Sequence, residues 1–484
     1  MIEQAMNCAL SAFVDACRAA LPAGRVVTAA EDLAPWLVDW RGLYRGAARV
    51  MLEPRSTAEV QRVVGLACAH RVPLVPQGGN TSMVAGATPD AGGTAAILSL
   101  RRMNRVRRLD ADARLAVAEA GVILQTLHEA AGANGLRFPL TLGARGSATV
   151  GGLISTNAGG TQVLRFGTMR ALVEGLEAVL PDGQIYDGLA PLKKDNRGYD
   201  LDQLLIGAEG TLGVVTAATL RLVPQPVDLA TAWVAVQSPH DALAMLRQFE
   251  ARSGVAVESF ELIPGRALEL VLKHVAGTRA PLAAPSPWHV LIDFAGAEAR
   301  ERLEGLLADV LGTGLVQDAV IAASEAHAAA FWRIRDAVSE AERAEGPTLA
   351  HDISVPVDAM PRFIEEAGAE IEQSFLGVTV SAFGHLGDGN VHFHVGAPRG
   401  VDGQVWRSGP GKAISSRVYD LVAGAGGSIS AEHGIGQMKL GEFARLGEPA
   451  RLAALRAIKT AFDPQNLLNP GKLVPGLVPM AADA

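Results

Sequence analysis

Apolar residues recur along the chain with a spacing that changes near residue 50. Before that point, Ala5–Leu21 carries apolar residues at helical spacing and is followed by Pro22, which predicts a first helix. After it, short apolar runs alternate with amphipathic stretches. Ser56 is placed to cap a helix that continues through Ala69, and Val72–Pro76 has the pattern of a short buried strand. The alternation predicts a domain of mixed strands and helices.

Further elements are predicted by the same two periodicities. The predicted strands are Ala95–Leu100, Leu115–Glu119, Leu201–Gly207, Gly213–Val223, Ala232–Val236 and His289–Phe294. The predicted helices are Val122–Ala131, Ala242–Ala251, Ala299–Leu311 and Ala323–Arg343, with another beyond about residue 452. Residues 143–168 are rich in glycine and contain no long periodic element, and Pro224-Gln225-Pro226 indicates a boundary between two units.

Length and charge restrict the class of protein. The 484 residues predict two domains, and 43 basic against 51 acidic residues give a net charge of −8. This mild acidity argues against a nucleic-acid partner. The three cysteines, Cys8, Cys17 and Cys68, do not form a disulfide framework and favour a reducing compartment. Because neither a signal peptide nor a long apolar run is found, we expect a cytoplasmic protein without a membrane span.

Histidine and carboxylate residues cluster in the last quarter of the sequence. His385, His392 and His394 lie around a Gly-Asp-Gly turn, and the pair Glu432-His433 follows about forty residues later. Histidine and carboxylate ligands can hold a divalent metal with one position left open for substrate. A single histidine is more often a structural residue than a ligand. From the residues alone, the metal site and a structural role therefore both remain open.

Three loops rich in small residues form a second group. They are Gln77–Ser82, the stretch from Gly143 to Thr161, and Gly207–Gly213. Successive backbone N–H groups in such loops can bind a diphosphate, and glycine lets a ligand approach the backbone closely. The alternative is a set of tight turns in a glycine-rich sheet protein. No G-x-G-x-x-G opens a helix, so a Rossmann-type NAD site is not predicted.

Taken together, these motifs resemble one family. The matching stretches are Pro76–Thr81, Gly151–Gly160, Lys194–Leu201, Ile206–Gly213, Gly384–His392, Glu432–Gly434 and Asn469–Lys472. In this order they resemble the FAD-linked oxidases of vanillyl-alcohol oxidase fold. Within that family they are most similar to the branch of D-2-hydroxyglutarate, D-lactate and glycolate dehydrogenases. The resemblance covers residues 45 to 475 and implies an α+β protein with a two-part FAD-binding domain and an α+β substrate (cap) domain.

The resemblance also implies a domain order and a set of FAD-binding residues. Residues 1–47 would be an N-terminal helical segment, 48–226 the FAD-binding domain, 227–425 the substrate domain, and 426–484 a segment returning to the active site. Non-covalent FAD is expected, because Asn80 stands where some relatives carry a flavin-linked histidine. The implied contacts are Pro76, Gln77, Gly78, Gly79, Asn80, Thr81, Ser82, Gly143, Ser147, Gly151, Gly152, Thr156, Asn157, Gly159, Gly160, Glu209, Gly213, Val214 and Asn469.

Metal ligands and a reaction follow from the same resemblance. It implies that His385, His392 and Glu432 hold a divalent metal, most often zinc, with manganese or iron as alternatives. His433 would be the catalytic base that takes the proton of the substrate hydroxyl. The hydrogen on C2 would pass to FAD, leaving a 2-keto acid. Electrons would continue to an electron-transfer flavoprotein or a quinone. A homodimer is expected from the family alone.

Substrate contacts are where the chain departs from its family. The resemblance assigns them to Arg335 and Ser339, which are four residues apart on a predicted helix, and to His394 and His433. The hydroxyglutarate enzymes usually have a lysine where this chain has Ala350 and an asparagine where it has His394. A lost cation weakens the case for a second substrate carboxylate. The alternatives are a D-lactate or glycolate dehydrogenase or oxidase, or a flavin subunit of a glycolate-oxidase-like complex.

Overall fold

The computed structural model of the chain describes residues 2–477, and side chains from residue 8 onward. It divides into two compact units. The first comprises Met1–Ala158, Thr168–Gln225 and Glu432–Ala484, and the second comprises Gly159–Gly167 and Pro226–Ala431. Each unit is therefore assembled from separate stretches of chain, and the C-terminal stretch belongs to the first.

Strands and helices are distributed over both units. The strands of the described residues are Val26–Val27 (β1), Met51–Leu52 (β2), Leu74–Gln77 (β3), Ala96–Ser99 (β4), Val106–Asp110 (β5), Leu115–Glu119 (β6), Leu136–Arg137 (β7), Val173–Val179 (β8), Ile185–Asp187 (β9), Val214–Arg221 (β10), Val223–Pro224 (β11), Leu229–Val236 (β12), Val257–Pro264 (β13), Trp288–Ala295 (β14), Asp318–Ile321 (β15), Thr348–Ser354 (β16), Thr379–His385 (β17) and Asn390–Gly396 (β18). The α-helices are Ile2–Ala20 (α1), Ala30–Leu33 (α2), Thr57–His70 (α3), Leu124–Gly132 (α4), Val150–Thr156 (α5), Val163–Phe166 (α6), Met169–Leu172 (α7), Leu201–Leu205 (α8), Pro239–Ser253 (α9), Gly265–His274 (α10), Ala299–Gly312 (α11), Glu325–Asp336 (α12), Val338–Glu345 (α13), Met360–Ser374 (α14), Gly403–Ser408 (α15), Pro410–Gly424 (α16), Leu440–Leu446 (α17) and Pro449–Phe462 (α18).

The first unit is built on two main sheets. One is four-stranded in the order β1-β2-β4-β3, with β2, β4 and β3 parallel. The other is antiparallel in the order β5-β6-β10-β8-β9. Helices α1 and α3 pack together and share a buried core with the four-stranded sheet, including Phe13, Val63, Leu74 and Leu98. Burying these side chains removes apolar surface from water, which stabilises the unit.

The second unit contains a seven-stranded antiparallel sheet. Its strand order is β15-β12-β14-β13-β17-β18-β16. Residues of α10, α12 and α13 form one core with the sheet, in which Trp233, Phe331, Ile334 and Phe383 are buried. The helices therefore cover the sheet face that carries Phe383, and the side chains next to Phe383 on that face are shielded from water.

Local capping explains where a predicted helix begins. The Ser56 hydroxyl accepts a hydrogen bond from the backbone N–H of Glu59 at 3.3 Å, and the Glu59 carboxylate accepts from the N–H of Arg55 at 2.7 Å. These bonds satisfy backbone donors that lack partners inside the helix. Helix α3 ends at His70, and the next residue, Arg71, adopts a left-handed conformation with φ of 53°. The predicted Ser56 cap is confirmed.

Two sequence predictions are wrong. Leu201–Gly207 was predicted as a strand but begins as α8, because the Asp200 carboxylate caps the helix by accepting the N–H of Gln203 at 3.0 Å. The single helix predicted over Ala323–Arg343 is two helices, α12 and α13, separated at Ala337. Neither glycine nor proline marks that break. The other predicted strands and helices are confirmed, with ends shifted by up to three residues.

The cysteines are unpaired. Cys8 is exposed, Cys17 is buried and Cys68 is half-buried, and all three are free thiols. Burial raises the pKa of Cys17 to about 12, which removes it as a nucleophile near neutral pH. Among residues 2–477, no helix combines the length and the apolarity that crossing a membrane requires.

A buried ion pair ties the C-terminal stretch into the first unit. The Lys459 ammonium donates to the Asp463 carboxylate at 2.5 Å and to the carbonyl oxygens of Thr211 and Leu468 at 2.8 and 2.9 Å. Burial lowers the pKa of Lys459, and Asp463 partly offsets this. Nearby, the N–H of Leu74 in β3 donates to the carbonyl of Leu467 at 2.8 Å. The pair thus supports the segment that borders β3.

We expect Lys459→Met to lower the free energy of unfolding by about 3–5 kcal/mol, because it leaves the buried Asp463 carboxylate without its cation. Denaturant unfolding followed by circular dichroism measures the change. The matched control is Lys193→Met, which removes an exposed lysine paired with Glu174 and should alter stability by about 0.5 kcal/mol or less. Equal stability of the two variants would contradict the role assigned to Lys459.

Candidate active site

The hairpin of β17 and β18 carries the predicted metal-binding histidines. His385 ends β17 and pairs with Asn390, and His392 pairs with Phe383. The turn between the strands needs glycine, since Gly389 has φ of 81° and a Cβ there would lie 2.1 Å from the Val355 carbonyl oxygen. Directly paired residues of antiparallel strands point to the same face. The hairpin therefore presents both imidazoles on one side of the sheet.

Glu261 of β13 orients the first of these histidines. Its carboxylate lies 2.5 Å from Nδ1 of His385 and accepts from Nε of Arg335 at 2.7 Å. Burial alone would raise the pKa of Glu261, but the charges of Arg335 and His385 lower it to about 2. Because Nδ1 of His385 is bound to the carboxylate, Nε2 is the nitrogen that would coordinate a metal. Metal-binding histidines are commonly held by a carboxylate in this way.

His392 is held in the form that a metal requires. Burial, together with the nearby charges of Arg335 and His385, lowers its pKa well below the usual value for histidine. The imidazole is therefore neutral near pH 7. A neutral imidazole offers a lone pair to a metal ion, whereas a protonated one does not.

Two groups of possible ligands occur where the chain leaves the second unit. Glu432 follows Ala431, the last residue of that unit. Ligand atoms of His385, His392 and Glu432 all lie within 4.8 Å of one another, and so do those of Asp352, Glu432 and His433. The first group contains the three residues predicted as metal ligands. That they hold a metal stays a prediction, and the donor set of two imidazoles and one carboxylate fits a divalent ion.

The predicted substrate residues are placed on both sides of the helix break. Arg335 lies in the last turn of α12, with its Nη2 3.4 Å from Nε2 of His385, while Ser339 is half-buried in α13. Ala337 separates the two helices, and the binding of substrate by Arg335 and Ser339 stays a prediction. His394 is buried, and its Nδ1 lies 2.5 Å from the Glu342 carboxylate.

Glycine residues bring two predicted cofactor loops into contact in the first unit. A Cβ on Gly78 would lie 2.1 Å from Oγ1 of Thr149, and one on Gly79 would lie 1.8 Å from the carbonyl oxygen of Ser147. Neither position has room for a side chain. The loop after β3 therefore packs closely against the loop before α5, and both contribute residues predicted to bind the cofactor.

Several buried polar atoms in this region lack a partner within the described residues. They are Oε1 of Gln77, Oγ1 of Thr149 and Oδ1 of Asn469. Buried polar atoms in native structures are nearly always hydrogen-bonded, so unmatched ones indicate a missing ligand or water. The side chain of Asn80 donates to the Val38 carbonyl at 2.9 Å. The two amide oxygens accept only and fit hydroxyl or N–H donors of a nucleotide cofactor, whereas the Thr149 hydroxyl can also donate to a phosphate.

Glu209 supports the loop that follows His433. Glu209 is buried, and its carboxylate accepts the backbone N–H groups of Ile435 and Gly436, each at 2.8 Å. Its own carbonyl oxygen accepts from Nδ2 of Asn469 at 2.7 Å. Burial raises the pKa of Glu209, and the two N–H donors oppose that effect. Glu209 was predicted to contact the cofactor, and in the structure its carboxylate anchors a loop.

The other predicted cofactor residues are spread over neighbouring elements. In the first unit, Pro76 lies in β3, Thr81 and Ser82 in the loop after it, Gly143 before α5, Gly151, Gly152 and Thr156 within α5, Asn157 at its end, and Gly213 and Val214 at the start of β10. Gly159 and Gly160 fall in the second unit. Asn157 has a left-handed φ of 49°, and its side chain accepts the N–H of Arg170 at 2.9 Å. Their contact with a cofactor stays a prediction.

Three buried acids of the site were missed from the sequence. Each lies close to a histidine that was predicted to be functional. Glu261 contacts His385 and Glu342 contacts His394. Asp352 groups with Glu432 and His433. Asp352 is the cross-strand partner of His392, and its carboxylate accepts from Nδ2 of Asn390 at 3.0 Å. Asp352 lies in a short polar run before Val355, and this pattern could have indicated a functional residue. Glu261 lies in a largely apolar strand and Glu342 lies on a helix, and neither local sequence indicates a functional residue.

Two family models match the chain. One, described as "FAD binding domain", matches residues 48–188, and the other, "FAD linked oxidases, C-terminal domain", matches residues 225–473. Together they define a two-domain flavoprotein, which agrees with the fold and the grouped glycine loops. The chain belongs to the family of FAD-linked oxidases, and the resemblance predicted from its motifs is confirmed. It is accordingly a FAD-dependent oxidoreductase.

Relatives and solved structures agree with this family. D-2-hydroxyglutarate dehydrogenase of Xanthomonas citri pv. viticola is 37% identical over 460 residues, covering 94% of this chain and 95% of that protein. The mitochondrial enzyme of that name from Bos taurus is 37% identical over 455 residues, covering 93% and 81%. p-Cresol methylhydroxylase has a TM-score of 0.75 at 17% identity over 96% of each chain. Alkyldihydroxyacetonephosphate synthase has a TM-score of 0.72 at 16% identity over 95% and 84%. These likenesses confirm the predicted fold.

We expect Glu209→Gln to lower the free energy of unfolding by about 1–3 kcal/mol, because an amide presents one acceptor where two N–H groups are buried. Denaturant unfolding measures the loss. Glu129→Gln, an exposed substitution on α4, is the control and should change stability by about 0.5 kcal/mol or less. If both variants have the same free energy of unfolding as the unmodified protein, Glu209 does not anchor the loop.

Proposed function

We propose that the chain is a FAD-dependent, metal-assisted dehydrogenase that oxidises a D-2-hydroxy acid to the 2-keto acid. The observation that carries the proposal is the grouping of His385, His392 and Glu432 in a chain of the FAD-linked oxidase family. Relatives that span more than nine-tenths of the chain are named D-2-hydroxyglutarate dehydrogenase, which supports a D-2-hydroxyglutarate-like acid as the substrate class.

The reaction breaks the C2–H and O–H bonds of the substrate and forms a C2=O bond. Bound FAD would supply the two-electron acceptor for the hydrogen that leaves C2. His433 takes the hydroxyl proton, a role that suits an imidazole near neutral pH. Asp352 and Glu432, whose ligand atoms lie within 4.8 Å of those of His433, stabilise the imidazolium that results. Two electrons and two protons thereby leave the substrate.

His385, His392 and Glu432 would hold the metal. A divalent ion, which we propose is zinc, would lower the pKa of the substrate hydroxyl. Glu261 keeps His385 turned with Nε2 towards the ligand. The same carboxylate holds Arg335 beside that imidazole, and the planar guanidinium is well suited to bind a substrate carboxylate. One buried acid thus positions both a metal ligand and an anion-binding group.

FAD binding is assigned to the first unit. The closely packed loops at Gly78–Gly79 and Ser147–Thr149, with the unmatched atoms of Gln77 and Asn469, support this assignment. Because the Asn80 side chain is bonded to backbone carbonyl groups, we propose that FAD is bound non-covalently. An electron-transfer flavoprotein or a quinone is the proposed acceptor. A cytoplasmic location is proposed from the three free thiols.

Anaerobic flavin reduction tests the function. The purified chain is mixed with the D or L enantiomer of lactate, malate or 2-hydroxyglutarate, and the flavin absorbance is followed. We expect bleaching by one or more D enantiomers at a rate at least about tenfold above that of the L form. His392→Ala should keep the flavin spectrum and lose turnover. Absence of bleaching with every D acid, or full turnover in His392→Ala, would overturn the proposal.

We expect Glu261→Gln to weaken zinc binding by about 10–100-fold, because His385 loses the carboxylate that orients its ring and raises its basicity. Competition with a chromophoric chelator measures the affinity without any turnover. Glu345→Gln, a substitution on α13 at an acid paired with Lys273, is the control and should bind zinc as the unmodified protein does. An unchanged zinc affinity in Glu261→Gln would show that Glu261 does not support metal binding.

A further inference from the structure

A second polar group lies beside the predicted metal ligands within the second unit. We call His394, Glu342 and Ser381 the distal cluster. His394 and Ser381 are directly paired across β18 and β17 and therefore share a face of the sheet. Nδ1 of His394 lies 2.5 Å from Oε2 of Glu342, and both residues are more than nine-tenths buried. None of these three residues has a part in the proposed chemistry at the metal.

Two atoms of the distal cluster are buried without a hydrogen-bond partner in the part of the chain that the structure describes. They are Oε1 of Glu342 and Oγ of Ser381. Leaving a buried polar atom unpaired costs about 1–3 kcal/mol, and more when the group is charged. A carboxylate oxygen accepts only, so what completes Glu342 must donate a hydrogen bond. The cluster therefore has the features of a binding site for a donor.

The distal cluster is within reach of a substrate held at the histidines. His394 and His392 are two residues apart on one strand and point to the same side, which separates their positions by roughly 6–7 Å. The ring of Phe383 lies between them, with its centroid 5.1 Å from that of each imidazole. A 2-hydroxy acid with its C2 end at His392 would extend two or three carbons past Phe383 to reach His394.

The charge of the distal cluster disfavours an anion. An imidazole hydrogen-bonded to a carboxylate has a net charge of zero or minus one. Among the described residues, neither His394 nor Glu342 forms an ion pair with a lysine or an arginine. The cross-strand partner of His394 on its other side is Ala350, which adds no charge. A second substrate carboxylate at His394 would therefore lie beside a buried carboxylate that forms no ion pair with a lysine or an arginine of the described residues.

We propose that the distal cluster selects 2-hydroxy acids whose far end is an uncharged hydrogen-bond donor, an amide or a hydroxyl, over those ending in a second carboxylate. The proposal rests on the proposed function, because it assumes that the 2-hydroxy-acid end is bound at the histidines. The donor completes Oε1 of Glu342, and the amide or hydroxyl oxygen accepts from Ser381. Glu342 and Ser381 are then specificity residues and take no part in the proton transfer.

A matched pair of substrates tests the proposal on the unmodified holoenzyme. D-2-hydroxyglutarate and its 5-amide, D-2-hydroxyglutaramate, have the same length and differ in charge and in donors at the far end. We expect kcat/KM for the amide to exceed that for the dicarboxylate by at least about tenfold. A ratio at or below one overturns the proposal, and so does turnover of D-lactate with both five-carbon acids inert. If no D-2-hydroxy acid of the panel reduces the flavin, the proposed function itself fails.

Two variants locate the effect at the distal cluster. Glu342→Gln removes the carboxylate charge and should reduce the amide-to-carboxylate ratio at least fivefold. Ala350→Lys adds a cation beside His394 at an exposed position and should move the ratio in the same direction, so it decides the question if Glu342→Gln fails to fold. Glu345→Gln removes a carboxylate one turn further along α13 and should leave the ratio unchanged. A ratio that is the same in all three variants overturns the assignment to Glu342.

Discussion

A carboxylate that is 1% exposed needs partners that offset its burial, and in the second unit Glu261 has two cationic ones at once, His385 and Arg335. The three residues come from β13, β17 and α12, so one charge fixes the relation of two strands and a helix. Glu261 and His385 are also directly paired in the sheet. Removing either partner of such a buried pair leaves an uncompensated charge. The orientation of the His385 imidazole and the position of the guanidinium are therefore consequences of a single buried ion.

Three acids of this unit differ in the partners of their carboxylates. Glu261 has two cationic partners, which lower its pKa to about 2. Asp293 has neutral donors, Thr231 at 2.6 Å and Trp332 at 3.1 Å, and burial raises its pKa to about 6. Glu342 has one imidazole and retains an unmatched oxygen. Both carboxylate oxygens of Glu261 and of Asp293 have partners, whereas one oxygen of Glu342 has none within the described residues. A carboxylate whose two oxygens are both paired helps to hold the unit together, whereas one with an unpaired oxygen can accept a hydrogen bond from an external donor.

The sequence predicted correctly those structural features that depend only on residues close together in the chain. The Ser56 cap and the two-residue spacing of His392 and His394 on one strand face were readable from the sequence, since caps and strand alternation are local. The break at Ala337 was not, because nothing in its own sequence marks it. Glu261 was missed because it lies 124 residues from His385, and only the sheet brings them together. The glycines at 78 and 79 were ascribed to a ligand, yet they are also required by contact with Ser147–Thr149.

The division of the first unit has a consequence for biosynthesis. Its edge strand β3 is bordered by Leu467–Asn469. The N–H of Leu74 donates to the carbonyl of Leu467, and the carbonyl of Leu74 accepts from the N–H of Asn469. Lys459 stabilises that segment by donating to the carbonyl of Leu468. A nascent chain emerges from the ribosome in order, N-terminus first. The whole second unit is therefore translated before the first can close, and the open edge of β3 stays available for wrong pairing during that interval. Chains cut short before residue 467 would retain this edge permanently, which makes them candidates for aggregation and for removal by cellular quality control.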